Sequence, residues 1–331
     1  MRHRRKRRHM ATATREDEFA RRAEPLRPEL LGFCYRMLGS VHEAEDVLQD
    51  ALLRAWRAFP RFEDRSSLRT WLYRITTNAC LRALERAKRR PLPSGWGDAS
   101  ADPEAPVPSQ TSDVPWLQPF PDDPASVVEG RESMRLALVA ALQLLPPRRR
   151  VVLILRDVLE WRAGEVAEFL DTTPAAVNSL LQHARSQLRR ANPKAVREVG
   201  PLTARQREFV DRYAKAFAEA DLDALTAALS ADAVWEMPPY PTWFAGRDHV
   251  VRFLATKLGD GGGRRFVRVS ANGQPALALY LRDGDGFAAY AVHVLDVGEA
   301  GVEHVVAFMD PGLFAGFGLP PRIAADDARD A

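Results

Sequence analysis

The chain has 331 residues, 46% of them apolar, and a formal net charge of +3, so two or three domains with real cores are expected. No stretch approaches the eighteen or more apolar residues of a membrane span, and the basic start MRHRRKRRHM lacks the apolar run of a signal peptide, so a cytoplasmic protein without membrane contact is expected. Cys34 and Cys80 form no CxxC and sit in helical apolar patterns, which points to buried thiols rather than a metal or redox centre; no metal and no cofactor are expected.

Residues 1–15 read as a solvated basic tail, or as codons upstream of a start at Met10. Residues 16–90 read as helices almost throughout. The first runs from Glu16 to Leu38 and contains Pro25 and Pro28, so it begins late or kinks there. SVHEAEDVLQDALLRAWRAF is a second, with Val41, Ala44, Leu48, Ala51 and Ala55 on one stripe, Ser40 as N-cap and Glu43 completing a capping box. PRFEDRS breaks the pattern. SLRTWLYRITTNACLRALERAKRR is a third helix with a basic end; residues 66–90 carry seven Lys/Arg against one Glu, which is hard to justify as a structural surface alone.

The composition then inverts. Residues 91–125 hold nine prolines, six acids and no Lys or Arg, which predicts an extended, mobile linker. Within it VPWLQPFPD is apolar enough for Trp116, Leu117 and Phe120 to dock on a neighbouring domain. Residues 126–192 are helical again, with Pro146 and Pro147 marking a junction before RRRVVLILRDVLEW. There follow the short helix AGEVAEFL, the turn DTT and a longer helix from Pro174, capped by Thr172 or Thr173. Val177, Leu180, Leu181, Ala184 and Leu188 form its core stripe, and Asn178, Ser179, Gln182, Arg185 and Arg189 lie opposite. The spacing matches a helix-turn-helix, in which Asn and Gln pair with adenine and Arg with guanine or phosphate; an ordinary helical hairpin with a solvated face has the same pattern.

Residues 193–201 are a second, short linker. From residue 202 to 318 the period changes to helix, strand-like DAVWEMPPY, the helix GRDHVVRFLATKL, then RRFVRVSANG, PALALYLRD, FAAYAVHVLDV and VEHVVAFMD separated by Gly and Asp turns. This predicts an α+β domain with helices on one curved antiparallel sheet. DGGGRR at 260–265 reads as a flexible turn, and 319–331 as a disordered tail. Basic segments come first and the last segment is acidic, compatible with two nucleic-acid-facing modules and a third that is not one.

AEDVLQDALLRAWRAFPRFEDRSSLRTWLYRITTNACLRAL resembles region 2 of the extracytoplasmic-function (group IV) sigma factors of bacterial RNA polymerase. LPPRRRVVLILRDVLEWRAGEVAEFLDTTPAAVNSLLQHARSQLRR resembles region 4 of the same family, in the family's order and with no region 3 between. WEMPPYPTWFAGRDHV and VVAFMDPGLFAGFGLP resemble a SnoaL-like domain of the NTF2-like fold, the layout of the sigma-G/sigma-J type of long group IV factors. The resemblance implies a multidomain fold: two all-α domains, sigma2-like and sigma4-like helix-turn-helix, followed by an α+β NTF2-like cone. It implies a protein that binds core RNA polymerase and directs −10 and −35 recognition on promoter DNA, not an enzyme.

On that resemblance Glu45, Asp46, Gln49, Asp50, Leu53 and Trp56 face the clamp helices of the polymerase β′ subunit, although Leu53 and Trp56 read equally as core. Arg61, Phe62, Arg65, Arg69, Trp71, Arg74 and Asn78 serve the −10 element, the loop from Arg61 to Ser67 holding a flipped base; Trp71 reads equally as core. Thr173, Ala176, Asn178, Ser179, Gln182 and Arg185 read the −35 element, part of region 4 touches the β flap, and Arg148 to Arg150 and Arg162 grip phosphates. The acidic linker would occupy nucleic-acid space in the polymerase and be displaced by RNA. In the third domain Trp235, Met237, Tyr240, Trp243, Phe244, His293 and Phe308 are candidates to line an apolar pocket. Catalysis would need His293 with Asp310 or Asp296, and no recognisable catalytic constellation surrounds them, so the domain is expected to regulate, by intramolecular contact with the sigma domains or their linker. A one-component helix-turn-helix regulator with a ligand-sensing C-terminal domain is the alternative; AEDVLQD and RTWLYRITTN argue against it. An enzyme fused to a DNA-binding part is a third.

Overall fold

The computed structural model describes residues 17–63, 66–86, 88–110, 113–122, 135–191, 201–259 and 261–325. The chain forms two compact units, residues 1–89 with 141–196, and residues 90–140 with 197–331.

In the first unit the proline pair splits the first expected helix. α1 (17–23) ends at a 3-10 turn, Glu24–Leu26, and α2 (Arg27–Leu38) begins with Pro28 in its first turn, where a missing N–H leaves no bond unmade. Gly39 closes α2 at φ 73°, a left-handed conformation open to glycine. Ser40 then caps α3 (Val41–Ala58), its Oγ accepting from the Glu43 N–H at 3.2 Å, and the expected stripe from Val41 to Ala55 is buried. Ser67 caps α4 (Leu68–Leu84) in the same way through Thr70. The Cys80 thiol, on α4, donates to Cys34 on α2 at 3.7 Å; both are free and buried, and this bond together with burial pushes the Cys34 thiol up.

α5 (Leu136–Leu142) is followed by α6 (Pro147–Leu153), a π-helical turn at Ile154–Val158, α7 (Ala163–Phe169) and α8 (Pro174–Ala191). Thr173 caps α8, its Oγ1 accepting from the Ala176 N–H at 3.2 Å. Val177, Leu181, Ala184 and Leu188 are buried and Leu180 is half-buried, so α8 lies on the short helices through its expected stripe.

The second unit starts from α9 (Ala204–Glu219), capped reciprocally by Thr203 and Gln206, and α10 (Leu222–Ala228). β1 (Leu229–Glu236), β2 (Trp243–Ala245), α11 (Arg247–Leu258), β3 (Arg264–Ala271), β4 (Gln274–Asp283), β5 (Gly286–Val297), β6 (Val302–Phe308) and β7 (Arg322–Ala324) follow. The sheet order is β2-β1-β6-β5-β4-β3, with β7 on β5. β3 to β6 form the expected antiparallel meander, but β1 pairs β6 in parallel, so the sheet is mixed. Hairpin turns dictate antiparallel neighbours only between consecutive strands; a pairing between the first and sixth strands has no local signal. The face toward α9 closes over rings: Phe217 stacks on Trp235 at 5.9 Å, and Tyr213, Phe266 and His293 pack around them.

The linker between the helical modules is not the extended, mobile segment its prolines predict. Its described residues pack on the second unit, with Leu92, Val114, Trp116 and Leu117 buried and Val107 against the ring-lined core. Glu236, fully buried on β1, accepts from the Ser94 N–H at 2.7 Å and Oγ at 3.0 Å, and also from His304 Nε2 at 2.7 Å. Trp243 Nε1 donates to the Gly97 carbonyl at 2.8 Å, Arg252 pairs with Glu104, and Gln110 meets the Tyr240 hydroxyl. Phe120 bonds Asn272 in both directions, and the Leu117 N–H returns to the Pro91 carbonyl at 3.1 Å, closing the segment into a loop. Proline withholds only its own N–H; the apolar residues between the prolines remain free to bury, and they do.

Candidate nucleic-acid interface

The faces that a partner could reach follow from the stripes that the core consumes. With Ala44, Leu48, Ala51 and Ala55 inward, α3 turns Glu45, Asp46, Gln49 and Asp50 out, together with Leu53 at 45% exposure and Trp56 at 39%. Leu53 and Trp56 are therefore surface residues, beside a row of acids.

The −10 candidates divide. Arg61, Arg74 and Asn78 are exposed; Phe62 and Trp71 are half-buried with rings 4.8 Å apart; Arg65 lies outside the described residues. Arg69 is held by Glu29 of α2, its Nε 2.9 Å and 3.1 Å from the two carboxylate oxygens, and Tyr73 donates its hydroxyl to the same carboxylate at 2.7 Å. That bond to Glu29 holds the Arg69 guanidinium above its usual range. Region 4 supplies the rest of the setting. The Arg69 guanidinium lies over the rings of Tyr73 and Trp161, Trp161 meets Tyr73 edge-on at 5.4 Å, and Arg74 donates to the Glu168 carbonyl at 3.3 Å above the ring of Phe169. Past Asn78, α4 carries Arg82, and its end is followed by Arg86, Lys88 and Arg89, all exposed.

On α8, Thr173, Asn178, Ser179, Gln182 and Arg185 are exposed and Ala176 is half-buried. Asn178, Gln182 and Arg185 sit at i, i+4 and i+7, one row on the outer face. Asp157, in the π-helical turn, holds Arg185 by a fork of 2.9 Å and 2.6 Å. Of the arginines expected on phosphates, Arg148 and Arg162 are exposed, and Arg149 reaches Gln187. Arg150 is not available: it is 4% exposed and binds the carbonyls of Met37, Gln143 and Leu145 and the Gln143 side chain. Burial pushes its guanidinium down to about 10. The sequence shows three consecutive arginines as alike; the helical turn sends the third one inward, where it satisfies the Met37 carbonyl at the end of α2 and the carbonyls of Gln143 and Leu145 after α5. Glu29, Asp157 and Trp161 were not singled out in the sequence, because each acts on a residue at least 28 positions away.

In the second unit Tyr213 and His293 share a hydrogen bond of 2.9 Å to Nδ1, inside the ring cluster. Burial pushes His293 down to about 3 and Tyr213 up, so both are neutral near pH 7. Neither suggested acid joins them: Asp296 pairs with Arg135, and Asp310 caps the Gly312 N–H. Trp235, Met237 and Phe244 are core, Tyr240 packs against it, Trp243 holds the linker, and Phe308 lies on the opposite face of β6 from Val305 and Ala307. A cleft of about 600 Å³, lined in part by Arg135, Gln206, Gln274, Asp296 and Glu303, contains none of those seven residues. Among the described residues no group of His, Cys, Asp or Glu is clustered as a metal site, and no helix is long and apolar enough to cross a membrane.

A helical module with basic and aromatic side chains, a second ending in a helix-turn-helix, and an α+β domain have the make-up of a multidomain protein with nucleic-acid-facing modules. Comparison with known proteins makes the class specific. Residues 23–90 match the family model of Sigma-70 region 2, residues 135–188 that of Sigma-70 region 4, and residues 210–306 that of the SnoaL-like domain. The chain is 49% identical over 318 residues to the ECF RNA polymerase sigma factor SigG of Mycobacterium tuberculosis, covering 93% of this chain and 86% of that one. It is 29% identical over 327 residues to SigJ of the same species, covering 92% and 96%. The crystal structure of Mycobacterium tuberculosis SigJ matches with a TM-score of 0.61 and 25% identity, over 90% of this chain and 98% of that chain. The chain belongs to the extracytoplasmic-function sigma factors of RNA polymerase, with a C-terminal SnoaL-like domain. Its likeness to such factors along most of their length sets aside the one-component regulator.

Proposed function

We propose that this sigma factor engages core polymerase first through the outer face of α3, on the β′ clamp helices, and that α4 and α8 then serve the −10 and −35 elements. The observation that carries this reading is the exposure of Leu53 and Trp56. Large apolar side chains left in water among acids have no structural use, and aromatic anchors ringed by polar groups are what protein interfaces use. The acids beside them repel DNA and steer that face to protein. On α8 the exposed row of Asn178, Gln182 and Arg185 has the donor and acceptor chemistry of base edges, while the basic end of α4 serves phosphates. Region 4 also contacts the β flap.

The SnoaL-like domain regulates rather than catalyses. Its buried Tyr213–His293 pair lacks an acid, and its sheet holds the linker that joins the two DNA-reading modules. Run-off transcription with purified core polymerase and candidate promoters tests both statements. The full chain initiates at promoters carrying both elements, and Trp56→Ala lowers initiation together with core affinity; no initiation by the full chain removes the reading. Leu117→Asp, which puts a charge at a site with no exposure, frees the linker to proteolysis and changes promoter output. Unchanged output with a freed linker sinks the regulatory part.

A further inference from the structure

Arg185 is the cation in the exposed row of α8, and its guanidinium is already held. Asp157, in the π-helical turn that follows α6, accepts from its Nε at 2.9 Å on Oδ2 and from its Nη2 at 2.6 Å on Oδ1. A guanidinium has five N–H groups, and this fork uses two, on the edge shared by Nε and Nη2. The other three have no partner among the described residues. One from Nη1 and one from Nη2 lie side by side on the far edge, the geometry that meets the O6 and N7 acceptors of guanine.

Seating α8 does not require the fork. Val177, Leu181, Ala184 and Leu188 already bury the inner stripe, and the Arg185 side chain keeps 50% exposure, a setting in which an ion pair contributes little to stability. What the fork accomplishes is positional. A free arginine loses much rotamer freedom on meeting a base; here most of that loss is met within the folded chain. Asp157 also balances the charge of the guanidinium, so the pair gains little from phosphates, whose attraction carries no sequence information.

We propose that Asp157 is a positioning residue for promoter recognition: it aims the free edge of Arg185 at one guanine of the −35 element, and so makes Arg185 a reader of sequence rather than an anchor on phosphate. This rests on the assignment of α8 to that element. The place of the guanine follows from the helix. Arg185 is seven residues past Asn178, about 10 Å along α8 at about 1.5 Å per residue. With bases about 3.4 Å apart along a strand, the guanine lies about three pairs from the base that Asn178 meets.

The test is run-off initiation by the full chain with core polymerase on promoters whose −35 element is randomised, each template carrying a transcribed barcode. The unaltered chain is expected to select guanine at one position. Arg185→Ala is expected to lower that preference at least tenfold and to keep the others. Asp157→Asn retains the shape of the acid but sets an amide NH2 against one arm of the fork. It is expected to lower the guanine preference at least fivefold at the same position alone, with its urea midpoint and helical circular dichroism unchanged. Asp157→Ser, which removes the fork without adding a donor of that kind, is expected to do the same. An equal fall at every position, the mark of a merely structural role, overturns the proposal; so does no fall in either Asp157 variant while Arg185→Ala loses the guanine, a result that leaves the assignment of α8 standing. Selection unchanged by Arg185→Ala, or no initiation by the unaltered chain, takes down the assignment itself and the proposal with it.

Discussion

Two faces of region 2, one on α3 and one on α4, begin from similar material and end differently. Both carry a large aromatic on a helix with charged residues: Trp56 on α3, which also turns Asp46 and Asp50 outward, and Tyr73 beside Arg69 on α4. Trp56 is open to water at 39% exposure, whereas Tyr73 has none, because Phe33 of α2 and Trp161 of region 4 close over it. A periodic pattern fixes which way a side chain points; whether another module then covers it is decided by contacts distant in sequence. The acidic face keeps its aromatic open to water, whereas on α4 the aromatic is covered while Arg74, Asn78 and Arg82 stay exposed.

That contrast is sharpest in the effect of removing each ring. Tyr73→Ala is expected to cost the first unit about 3–5 kcal/mol in urea denaturation, since it empties a closed site. Trp56→Ala is expected to leave that stability within about 0.5 kcal/mol and instead to weaken core polymerase binding by about 2 kcal/mol, roughly 30-fold, in a fluorescence titration. A large stability loss from Trp56→Ala would place that ring in a core and break the contrast. The acid sensitivity of His293 belongs to the second unit. Its folded form titrates at about 3, so below pH 6.5 the unfolded chain takes up a proton that the folded chain cannot. Stability falls as pH drops below about 6.5 toward the folded value, and His293→Leu flattens that fall in acid denaturation curves. The smallest effect is expected at the exposed cation: Arg74→Ala leaves folding unchanged and lowers the salt dependence of promoter binding by about one in the log–log slope, the mark of a single lost phosphate contact.

What could be read from the sequence follows the same division between local and distant causes. The Ser40 cap, the α3 and α8 stripes and the β3–β6 meander are encoded within a few residues and are present in the fold. The parallel β1–β6 pair, the inward turn of Arg150, the fork from Asp157 to Arg185 and the seat of the linker on Glu236 and Asn272 join residues from different parts of the chain, and no local pattern announces them. The candidate promoter residues were legible as types at helical spacing. Their partners in the fold, Glu29, Trp161 and Glu168, were not.

The claim that the outer face of α3 is left for the polymerase is tested most directly by binding. In a fluorescence titration of the full chain with purified core polymerase, the Trp56→Ala variant is expected to bind about 30-fold more weakly while it initiates less and unfolds at the same urea concentration. Equal affinity of the two chains for core polymerase, with initiation proceeding, would contradict the account.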